Sequence, residues 1–279
     1  MRLLVCGANG MLGTDVVRAA GLAGHEVVAA GHAELDVCDA EAVRERIAQE
    51  RPGAVVNCAA WTDVDGAEAD PEGALAVNRD GARNVAAAAA AVGAPVLYVS
   101  TDYVFDGTKE GAYVESAPVA PLSAYGKSKL AGEEATAAVN ARHWIVRTSW
   151  LFGTAGRNFV ETMLRLCAER GEVTVVDDQV GCPTYTPHLA DAIVRLVEGE
   201  AWGVHHVSGS GSCSWFEFAR EIFRQAGADC RVTPCTTEET GRPAPRPRNS
   251  VLASERADTP VLPDWREGLH AYLAERVAA

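Results

Sequence analysis

Short apolar runs rich in β-branched residues alternate with helix-like stretches along the first half of this chain. The runs read "RLLVCG", "HEVVAAG", "GAVVNCAA" and "PVLYVSTD", and the helix-like stretches between them cover residues 15–23, 40–50 and 71–92. Strict alternation of this kind predicts a parallel sheet with helices on both faces. The runs are apolar throughout, as strands that are buried on both faces must be. The expected fold class is therefore α/β, with a doubly wound parallel sheet.

The order of elements becomes less regular beyond residue 150. "HWIVRTSWLFG" predicts one more buried strand, and "NFVETMLRLCAERG" and "EVTVVDD" predict a helix and a strand after it. "CPTYTPHL" and the proline-rich "GRPAPRPRN" then interrupt the pattern. We expect a main domain over residues 1–150 and a smaller C-terminal lobe over residues 151–279. Residues at about 186–208 are expected to return to the main sheet.

Charge and cysteine content exclude several classes of protein. The 25 basic and 38 acidic side chains give a net charge of −13, which disfavours nucleic acids and anionic membranes as partners. The eight cysteines include no C-x-x-C pair, so we expect reduced thiols and no metal site. The first apolar run is too short for a signal peptide, and Gly93 and Pro95 interrupt the alanine-rich segment before it could span a bilayer. We expect a cytoplasmic protein, either a monomer or a homodimer.

Gly7, Gly10 and Gly13 lie between the first strand and the first helix, in "LLVCGANGMLGTDVV". A glycine turn at that point lets backbone amides approach a pyrophosphate, which then lies at the positive end of the helix dipole. The spacing is G-x-x-G-x-x-G, and it encloses Met11 and Leu12. A plain helix start is the alternative, but the alternation of strands and helices that follows favours a dinucleotide bound to a Rossmann-type domain.

The second strand should end near the adenosine ribose of such a cofactor, where an acidic residue would reject a 2′-phosphate. Gly31 and His32 occupy that place, and the carboxylate of Asp36 comes later. This arrangement favours NADPH, with NADH as the alternative. His32 would lie near the phosphate or be an ordinary surface residue. Further cofactor contacts are expected at Val37, Ala59, Ala60 and Thr62.

Tyr125 and Lys129 in "SAYGKSKLAGEE" are four residues apart, so a helix would place both on one face. With six tyrosines and three lysines in 279 residues, this spacing is expected by chance about 0.06 times. Ser100 and Thr101 close a buried strand at its carboxyl end, the edge at which open α/β sheets bind ligands. The sequence therefore predicts a catalytic group at this edge, with an exposed helix pair as the alternative reading of Tyr125 and Lys129.

Six segments together resemble the extended short-chain dehydrogenase/reductases, and within them the dTDP-4-dehydrorhamnose reductase family. They are "GANGMLG", "STDYVFDG", "YGKSKLAGE", "RTSWLFG", "DDQVGCPTYT" and "RPAPRPRNSVL", and the similarity extends to about residue 275. The resemblance implies that NAD(P)H reduces the 4-keto group of a dTDP-4-keto-6-deoxy sugar, dTDP-6-deoxy-L-lyxo-4-hexulose, to give dTDP-L-rhamnose. By motif, Thr101, Tyr125 and Lys129 match the catalytic residues, and the last two also contact the cofactor. Thr101 and Asp102 match substrate contacts, and Trp150 matches a tryptophan near the sugar.

The resemblance also raises the question of a metal. Some family members hold a magnesium ion between subunits, and Asp15 lies near one such position. No matching set of acidic residues accompanies it, so we expect no metal. The pyrophosphate of a dTDP-sugar calls for arginines, and the candidates are Arg157, Arg242, Arg246 and Arg248.

The residue types suit a ketone reduction on their own. Hydride addition places negative charge on the ketone oxygen, which needs a proton donor already in place. Tyr125 can donate the proton, and the Thr101 hydroxyl can hold the oxygen. Bringing the pKa of a phenol from near 10 toward neutrality, by about 3 units, takes about 4 kcal/mol. The Lys129 ammonium can supply this and can also reach ribose hydroxyls, whereas Lys127 is expected to face solvent.

Three other functions are consistent with parts of this pattern. A related nucleotide-sugar 4-ketoreductase of deoxysugar biosynthesis, such as dTDP-dihydrostreptose synthase, would use the same residues. A non-catalytic regulatory subunit would share the fold and bind NADP, as the beta subunit of methionine adenosyltransferase does. Dehydratase or epimerase activity is disfavoured, because dehydratases usually place Asp and Glu after the Ser/Thr, and here Asp102 is followed by Tyr103.

Overall fold

The computed structural model describes residues 1–278, which form one central sheet, three small two-stranded sheets and the helices around them. The strands are β1 (Arg2–Cys6), β2 (Glu26–Ala30), β3 (Ala54–Asn57), β4 (Val96–Thr101), β5 (His143–Thr148), β6 (Leu151–Phe152), β7 (Glu172–Val176), β8 (Val180–Gly181), β9 (Thr184–Tyr185), β10 (Gly203–His206), β11 (Cys213–Ser214) and β12 (Arg231–Cys235). The helices are α1 (Met11–Leu22), α2 (Ala40–Glu50), α3 (Val64–Ala69), α4 (Pro71–Leu75), α5 (Ala82–Ala91), α6 (Ala124–Val139), α7 (Phe159–Arg170), α8 (Thr186–Val197), α9 (Trp215–Ala226) and α10 (Trp265–Ala278).

The central sheet has six strands in the order β10-β5-β4-β3-β1-β2, and every pair in it is parallel. The strand order reverses at β1, because β2 lies on one side of it and β3 on the other. In open α/β sheets, ligands bind at the carboxyl ends of the strands beside such a reversal. The predicted fold class, a doubly wound parallel sheet, is confirmed.

The apolar character of β1 follows from burial of both its faces. Leu3 and Val5 pack into a cluster with α1 and α8, whereas Leu4 and Cys6 pack into a separate cluster with α2 and α5. All four side chains are fully buried. Since successive side chains of a strand point to opposite faces, each face of the sheet has its own hydrophobic core.

The segment after residue 150 contributes to two places. Helix α8 packs on α1, and β10 pairs with β5 at the edge of the central sheet. The other elements, α7, β7, α9, β12 and α10, surround a further core that includes Phe152, Phe218 and Trp265. The assignment of residues 1–150 and 151–279 to separate domains stays a prediction.

Some elements differ from their predicted bounds. The first helix begins at Met11 rather than residue 15, because Gly10 adopts the extended conformation of an N-cap. The stretch predicted as one helix over residues 71–92 contains α4, a π-helical turn at Ala76–Gly81, and α5. Helix α3 was not predicted, and it begins where Asp63 caps the amide of Gly66. In the part of the chain that the structure describes, no helix is long and apolar enough to cross a bilayer.

Candidate active site

A cavity of about 460 Å³ lies at the carboxyl ends of β1, β3, β4 and β5. Eleven of the predicted site residues line it: Gly10, Met11, Leu12, Gly13, Ala60, Thr62, Thr101, Asp102, Tyr125, Lys129 and Trp150. A larger open groove of about 710 Å³ lies between α8, α9 and α10, but none of the predicted site residues lines it. The smaller cavity is therefore the candidate site.

The glycine turn forms the wall of this cavity at the start of α1. Gly7 has φ +70°, and a Cβ there would come within 2.6 Å of the Ala59 backbone nitrogen. A Cβ at Gly13 would come within 2.1 Å of the Gly7 carbonyl oxygen. Gly10 caps α1 without a side chain, so the amides of the first helical turn have no side-chain partner at their N-cap. Close packing and free amides at a helix N-terminus suit a bound pyrophosphate.

Helix α6 carries both Tyr125 and Lys129 into the cavity. Its first turn is fixed by the hydroxyl of Ser123, which accepts a hydrogen bond from the Gly126 amide. The Lys129 side chain is almost fully buried; its Nζ donates to the Val99 carbonyl oxygen over 2.7 Å. Burial lowers the pKa of Lys129 to about 7.

The Tyr125 phenol lies beside Thr101 and Asp102. Burial raises the pKa of Tyr125 to about 12, while the Thr101 hydroxyl acts to lower it and the Asp102 carboxylate acts to raise it. We expected the Lys129 ammonium to bring this pKa toward neutrality. In this structure burial has the larger effect and the net shift is upward, while the ammonium donates to the Val99 carbonyl, so the effect of Lys129 on the phenol stays a prediction. The phenol therefore keeps its proton at neutral pH.

Among residues 1–278, two buried polar atoms in the cavity wall have no hydrogen-bond partner, Asp102 Oδ2 and Thr148 Oγ1, although the Ser250 side chain is near enough to Asp102 to act on its pKa. The other Asp102 oxygen accepts from the Thr101 hydroxyl over 3.0 Å. Thr101 and Thr148 are directly paired at the ends of β4 and β5, so these groups lie on the same edge of the sheet. Burial raises the pKa of Asp102 to about 6. Unpaired buried polar groups are costly, which favours a polar ligand at this place.

Comparison with known proteins agrees with this arrangement. The family model described as "RmlD substrate binding domain" matches residues 1–277. The chain belongs to this family. A dTDP-4-dehydrorhamnose reductase from Streptomyces griseus is 46% identical over 96% of this chain and 91% of its own length. A dTDP-4-keto-6-deoxy-D-glucose reductase from Streptomyces niveus is 43% identical over 95% of this chain and 90% of its own length.

A solved structure extends the comparison to three dimensions. The dTDP-4-dehydrorhamnose reductase from Bacillus anthracis, crystallised in complex with NADP, superposes on this RmlD-family chain with a TM-score of 0.96. The two sequences are 41% identical, and the match covers 98% of this chain and 99% of the other. The likeness thus extends over nearly the whole fold.

Trp150 combines packing with a place in the cavity wall. Its indole stacks on Trp215 with ring centroids 3.6 Å apart, and it also lines the cavity. A Cβ on Gly181 would come within 2.5 Å of the indole, so the ring is fixed by close contacts. Trp150 has φ +48°, which is strained for a residue other than glycine. Backbone strain of this kind is often found at ligand sites.

Five predicted cofactor residues do not line the cavity of this RmlD-family protein: Gly7, His32, Asp36, Val37 and Ala59. Gly7 and Ala59 touch each other through their backbones just behind the glycine turn. His32 follows β2 with 85% of its side chain exposed, and its ring lies 4.0 Å from the Asp36 carboxylate. Val37 is buried in the core against α2 and α5. Their roles as cofactor contacts stay predictions.

The cavity is also lined by residues that we did not predict as site residues. They are Cys58, Val64, Val99, Ser100, Tyr103, Thr148, Ser149 and Leu151. Thr148 closes the buried strand β5 and Ser149 follows it, as Thr101 closes β4 and Asp102 follows it. The same signal, polar residues that close a buried strand, would have identified them. Val64 and Leu151 carry no such signal, because only the path of the chain brings them to the cavity.

The surroundings of Asp15 bear on the question of a metal. One Asp15 oxygen accepts from the Thr186 hydroxyl over 2.6 Å and the other from Arg18 over 2.9 Å. Arg18 also lies 3.4 Å from the Glu275 carboxylate. An arginine thus occupies the place between these two carboxylates. Among residues 1–278, no group of three or more His, Cys, Asp or Glu side chains could hold a metal ion.

Proposed function

We propose that this RmlD-family protein is an NADPH-dependent reductase that converts the 4-keto group of dTDP-4-dehydro-6-deoxy-L-mannose to the hydroxyl of dTDP-L-rhamnose. The observation that carries the proposal is the meeting of three groups in one cavity. Thr101, Tyr125 and Lys129 reach it from β4 and α6, next to the glycine turn at the start of α1. The names of the Streptomyces griseus and Bacillus anthracis relatives support the same activity.

The cofactor would lie along the first part of the chain. Its pyrophosphate would contact the turn formed by Gly10, Met11, Leu12 and Gly13, because these residues line the cavity at the positive end of α1. When bound, NADPH supplies the hydride that reduces the ketone carbon. We propose residues 1–150 as the domain that binds it, and residues 151–279 as the lobe that mainly binds the sugar. NADH remains the alternative cofactor.

Tyr125 acts as the proton donor in this proposal. As the ketone oxygen gains negative charge, the phenol O–H transfers its proton to it, which leaves a tyrosinate that solvent later reprotonates. A phenol with a pKa of about 12 is protonated at neutral pH, as a donor must be. Thr101 would hold the ketone oxygen through its hydroxyl, and Lys129 would stabilise the tyrosinate as it forms.

Asp102, Thr148 and Trp150 are the proposed contacts of the sugar. Asp102 Oδ2 and Thr148 Oγ1 lack hydrogen-bond partners in the part of the chain that the structure describes, and they would pair with sugar hydroxyls. Trp150 would pack its apolar ring against the sugar from the side opposite Trp215. Among the candidate arginines, Arg242 and Arg246 both contact Asp65. Arg157 and Arg248 are exposed and do not share this contact, so they are the freer ones to pair with the substrate pyrophosphate.

The test is a reduction with labelled cofactor. NADPH that carries deuterium at C4 of the nicotinamide, prepared in each of its two stereochemical forms, would be incubated with the purified protein and the L-configured 4-keto sugar. One of the two forms should transfer a single deuterium to C4 of the sugar, detected by mass spectrometry and NMR of the product. Oxidation of NADPH without transfer to the sugar would contradict the proposal.

One relative favours a second substrate. Because the Streptomyces niveus reductase is nearly as similar as the Streptomyces griseus one, dTDP-4-keto-6-deoxy-D-glucose belongs in the same assay. We expect the L-configured sugar to give the higher kcat/KM. A higher value for the D-configured sugar would assign the protein to the alternative substrate. Binding of NADPH without turnover of either sugar would instead favour the regulatory-subunit hypothesis.

A further inference from the structure

A buried ion pair joins Glu133 of α6 to Arg147 of β5, outside the cavity. Arg147 Nε and Nη2 donate to the two carboxylate oxygens of Glu133 over 2.9 and 2.7 Å, and both side chains are almost fully buried. Buried ion pairs add little stability compared with apolar residues of similar size, because both charges lose their hydration. The position of this pair matters more than its contribution to stability. Glu133 lies one helical turn after Lys129, on the same face of α6.

Helix α6 holds two adjacent residues of β4 through these side chains. Lys129 Nζ donates to the Val99 carbonyl oxygen over 2.7 Å, and the Ser100 hydroxyl donates to Glu133 Oε1 over 2.5 Å. Thr101 is the next and last residue of the strand. The strand end that carries Thr101 is therefore fixed to the same helix that carries the phenol.

Four titratable groups surround the Lys129 ammonium. It lies 4.1 Å from the centre of the Tyr98 ring of β4, near the thiol of Cys58 after β3, and on the same helix as Tyr125 and Glu133. Burial raises the pKa of the Cys58 thiol to about 12, so that group is neutral. Burial lowers the pKa of Lys129, and Glu133 has the largest effect in the opposite direction.

Arg147 pairs with the Glu133 carboxylate through two charge-assisted hydrogen bonds. Its Nη1 also lies 3.4 Å from Nε2 of His206, on β10. Burial lowers the pKa of His206, so this ring adds no second positive charge at neutral pH. The Glu133 carboxylate is thus the negative charge that opposes the effect of burial on Lys129.

We propose that Glu133 is a positioning residue for the reduction: its carboxylate keeps the Lys129 side chain charged and fixes the end of β4 beside it. Its role in turnover rests on the proposed function. Its effect on Lys129 does not, because that effect can be measured in the protein without substrate. The effect of Glu133 on Lys129 can therefore be confirmed or contradicted even if the proposed reaction is wrong.

The chain has only three lysines, Lys109, Lys127 and Lys129, which makes the effect directly measurable. Lysine labelled with ¹³C at Cε would give three NMR signals, and the signal absent from Lys129→Met identifies the buried one. We expect Glu133→Gln to lower the titration midpoint of Lys129 by about one pH unit or more. Glu134→Gln, an exposed neighbour on the same helix, should leave the midpoint unchanged.

Two further variants separate charge from structure. Glu133→Gln leaves the Arg147 charge buried and unpaired, which can destabilise the fold. The double variant Glu133→Gln with Arg147→Met removes both buried charges and avoids this cost. It should also lower the Lys129 midpoint. Arg147→Met alone breaks the same ion pair but keeps the carboxylate, and its midpoint should not fall. An unchanged midpoint in both variants that lack the carboxylate would overturn the proposal, as would an equal fall in all three.

Activity gives the second readout. Turnover should fall as the pH rises through the midpoint of Lys129, since the neutral amine no longer stabilises the tyrosinate. In Glu133→Gln this fall should move to lower pH, so the loss of kcat is larger at pH 8 than at pH 6. Glu133→Asp, which keeps the charge, should restore the profile in part. A loss that is the same at every pH would indicate a structural role only and would contradict the proposal.

Discussion

Lys129 and Asp102 are ionisable side chains that the fold removes from water. Burial lowers the pKa of Lys129 to about 7 and raises the pKa of Asp102 to about 6. In both cases the charged form is disfavoured in the folded chain. Such groups reduce stability and are retained where they serve a function. Replacement of Lys129 or Asp102 by an uncharged residue should therefore stabilise the protein.

Replacement of Lys129 by methionine tests this at neutral pH. Between pH 7 and 10.5, Lys129 is mostly neutral in the folded chain and mostly protonated in the unfolded chain. The free energy of unfolding of the wild-type protein should therefore increase as the pH rises through that interval. We expect Lys129→Met to raise the free energy of unfolding by on the order of 2 kcal/mol at pH 7 and by much less at pH 10. Lys127→Met, at an exposed position of the same helix, should change stability by less than about 0.5 kcal/mol. Urea unfolding at the two pH values measures both, and a less stable Lys129→Met at pH 7 would contradict the expectation.

At the scale of elements, the two ends of α1 differ in role: its first residues line the cavity, whereas the rest of the helix packs against the sheet and α8. Its first turn packs against the Gly7 carbonyl at the cavity, and its last two residues, Gly21 and Leu22, are exposed. Glycine is required where a Cβ would collide with backbone, and elsewhere in a helix it costs stability through chain entropy. Gly13 and Gly21 lie at these two ends and differ in this respect.

Alanine substitution at the two glycines should therefore have opposite effects. A Cβ at Gly13 would come within 2.1 Å of the Gly7 oxygen, whereas a Cβ at Gly21 has no heavy atom within 4 Å. We expect Gly13→Ala to weaken NADPH binding at least about tenfold, because the turn must open. Gly21→Ala should leave binding unchanged and add about 0.5–1 kcal/mol of stability. Fluorescence titration with NADPH measures the first effect and thermal unfolding measures the second. Equal NADPH affinity in both variants would contradict the proposal that the glycine turn binds the cofactor.

At the scale of the whole molecule, contacts distant in sequence connect the two parts of the chain. Asp65 of α3 accepts hydrogen bonds from the Ala244 amide over 3.2 Å and from Arg246 over 2.9 Å. Burial alone would raise the pKa of Asp65, but these bonds lower it. The proline-rich segment "RPAPRPR" is thereby fixed next to the first part of the chain, at α3.

Removal of either partner of this contact should destabilise the protein. The Arg246 side chain is only 9% exposed, so Asp65→Asn or Arg246→Gln should cost about 1–3 kcal/mol. Arg242, which is 60% exposed and 3.5 Å from Asp65, serves as the control and should contribute about 0–0.5 kcal/mol. In a double-mutant cycle, the Asp65 and Arg246 variants should be non-additive. Additive losses would show that the two side chains do not act as a pair.

Much of this architecture could be predicted from local patterns. Burial on both faces made the strands apolar throughout, and the glycine spacing marked the turn before α1. The Tyr125 and Lys129 spacing predicted one helix face, and both side chains do reach the cavity. What local patterns could not predict depends on distant contacts: the Glu133–Arg147 pair, the orientation of Lys129 toward Val99, and the place of Val64 and Leu151 in the cavity.

The central claim is that the Tyr125 phenol delivers a proton to a ketone oxygen in this cavity. The most direct measurement compares Tyr125→Phe with the wild-type protein, with turnover of the L-configured 4-keto sugar and the Kd for NADPH determined on the same samples. In Tyr125→Phe, turnover should fall about 10²–10⁴-fold while the Kd for NADPH stays within about twofold. Wild-type turnover in Tyr125→Phe would contradict it.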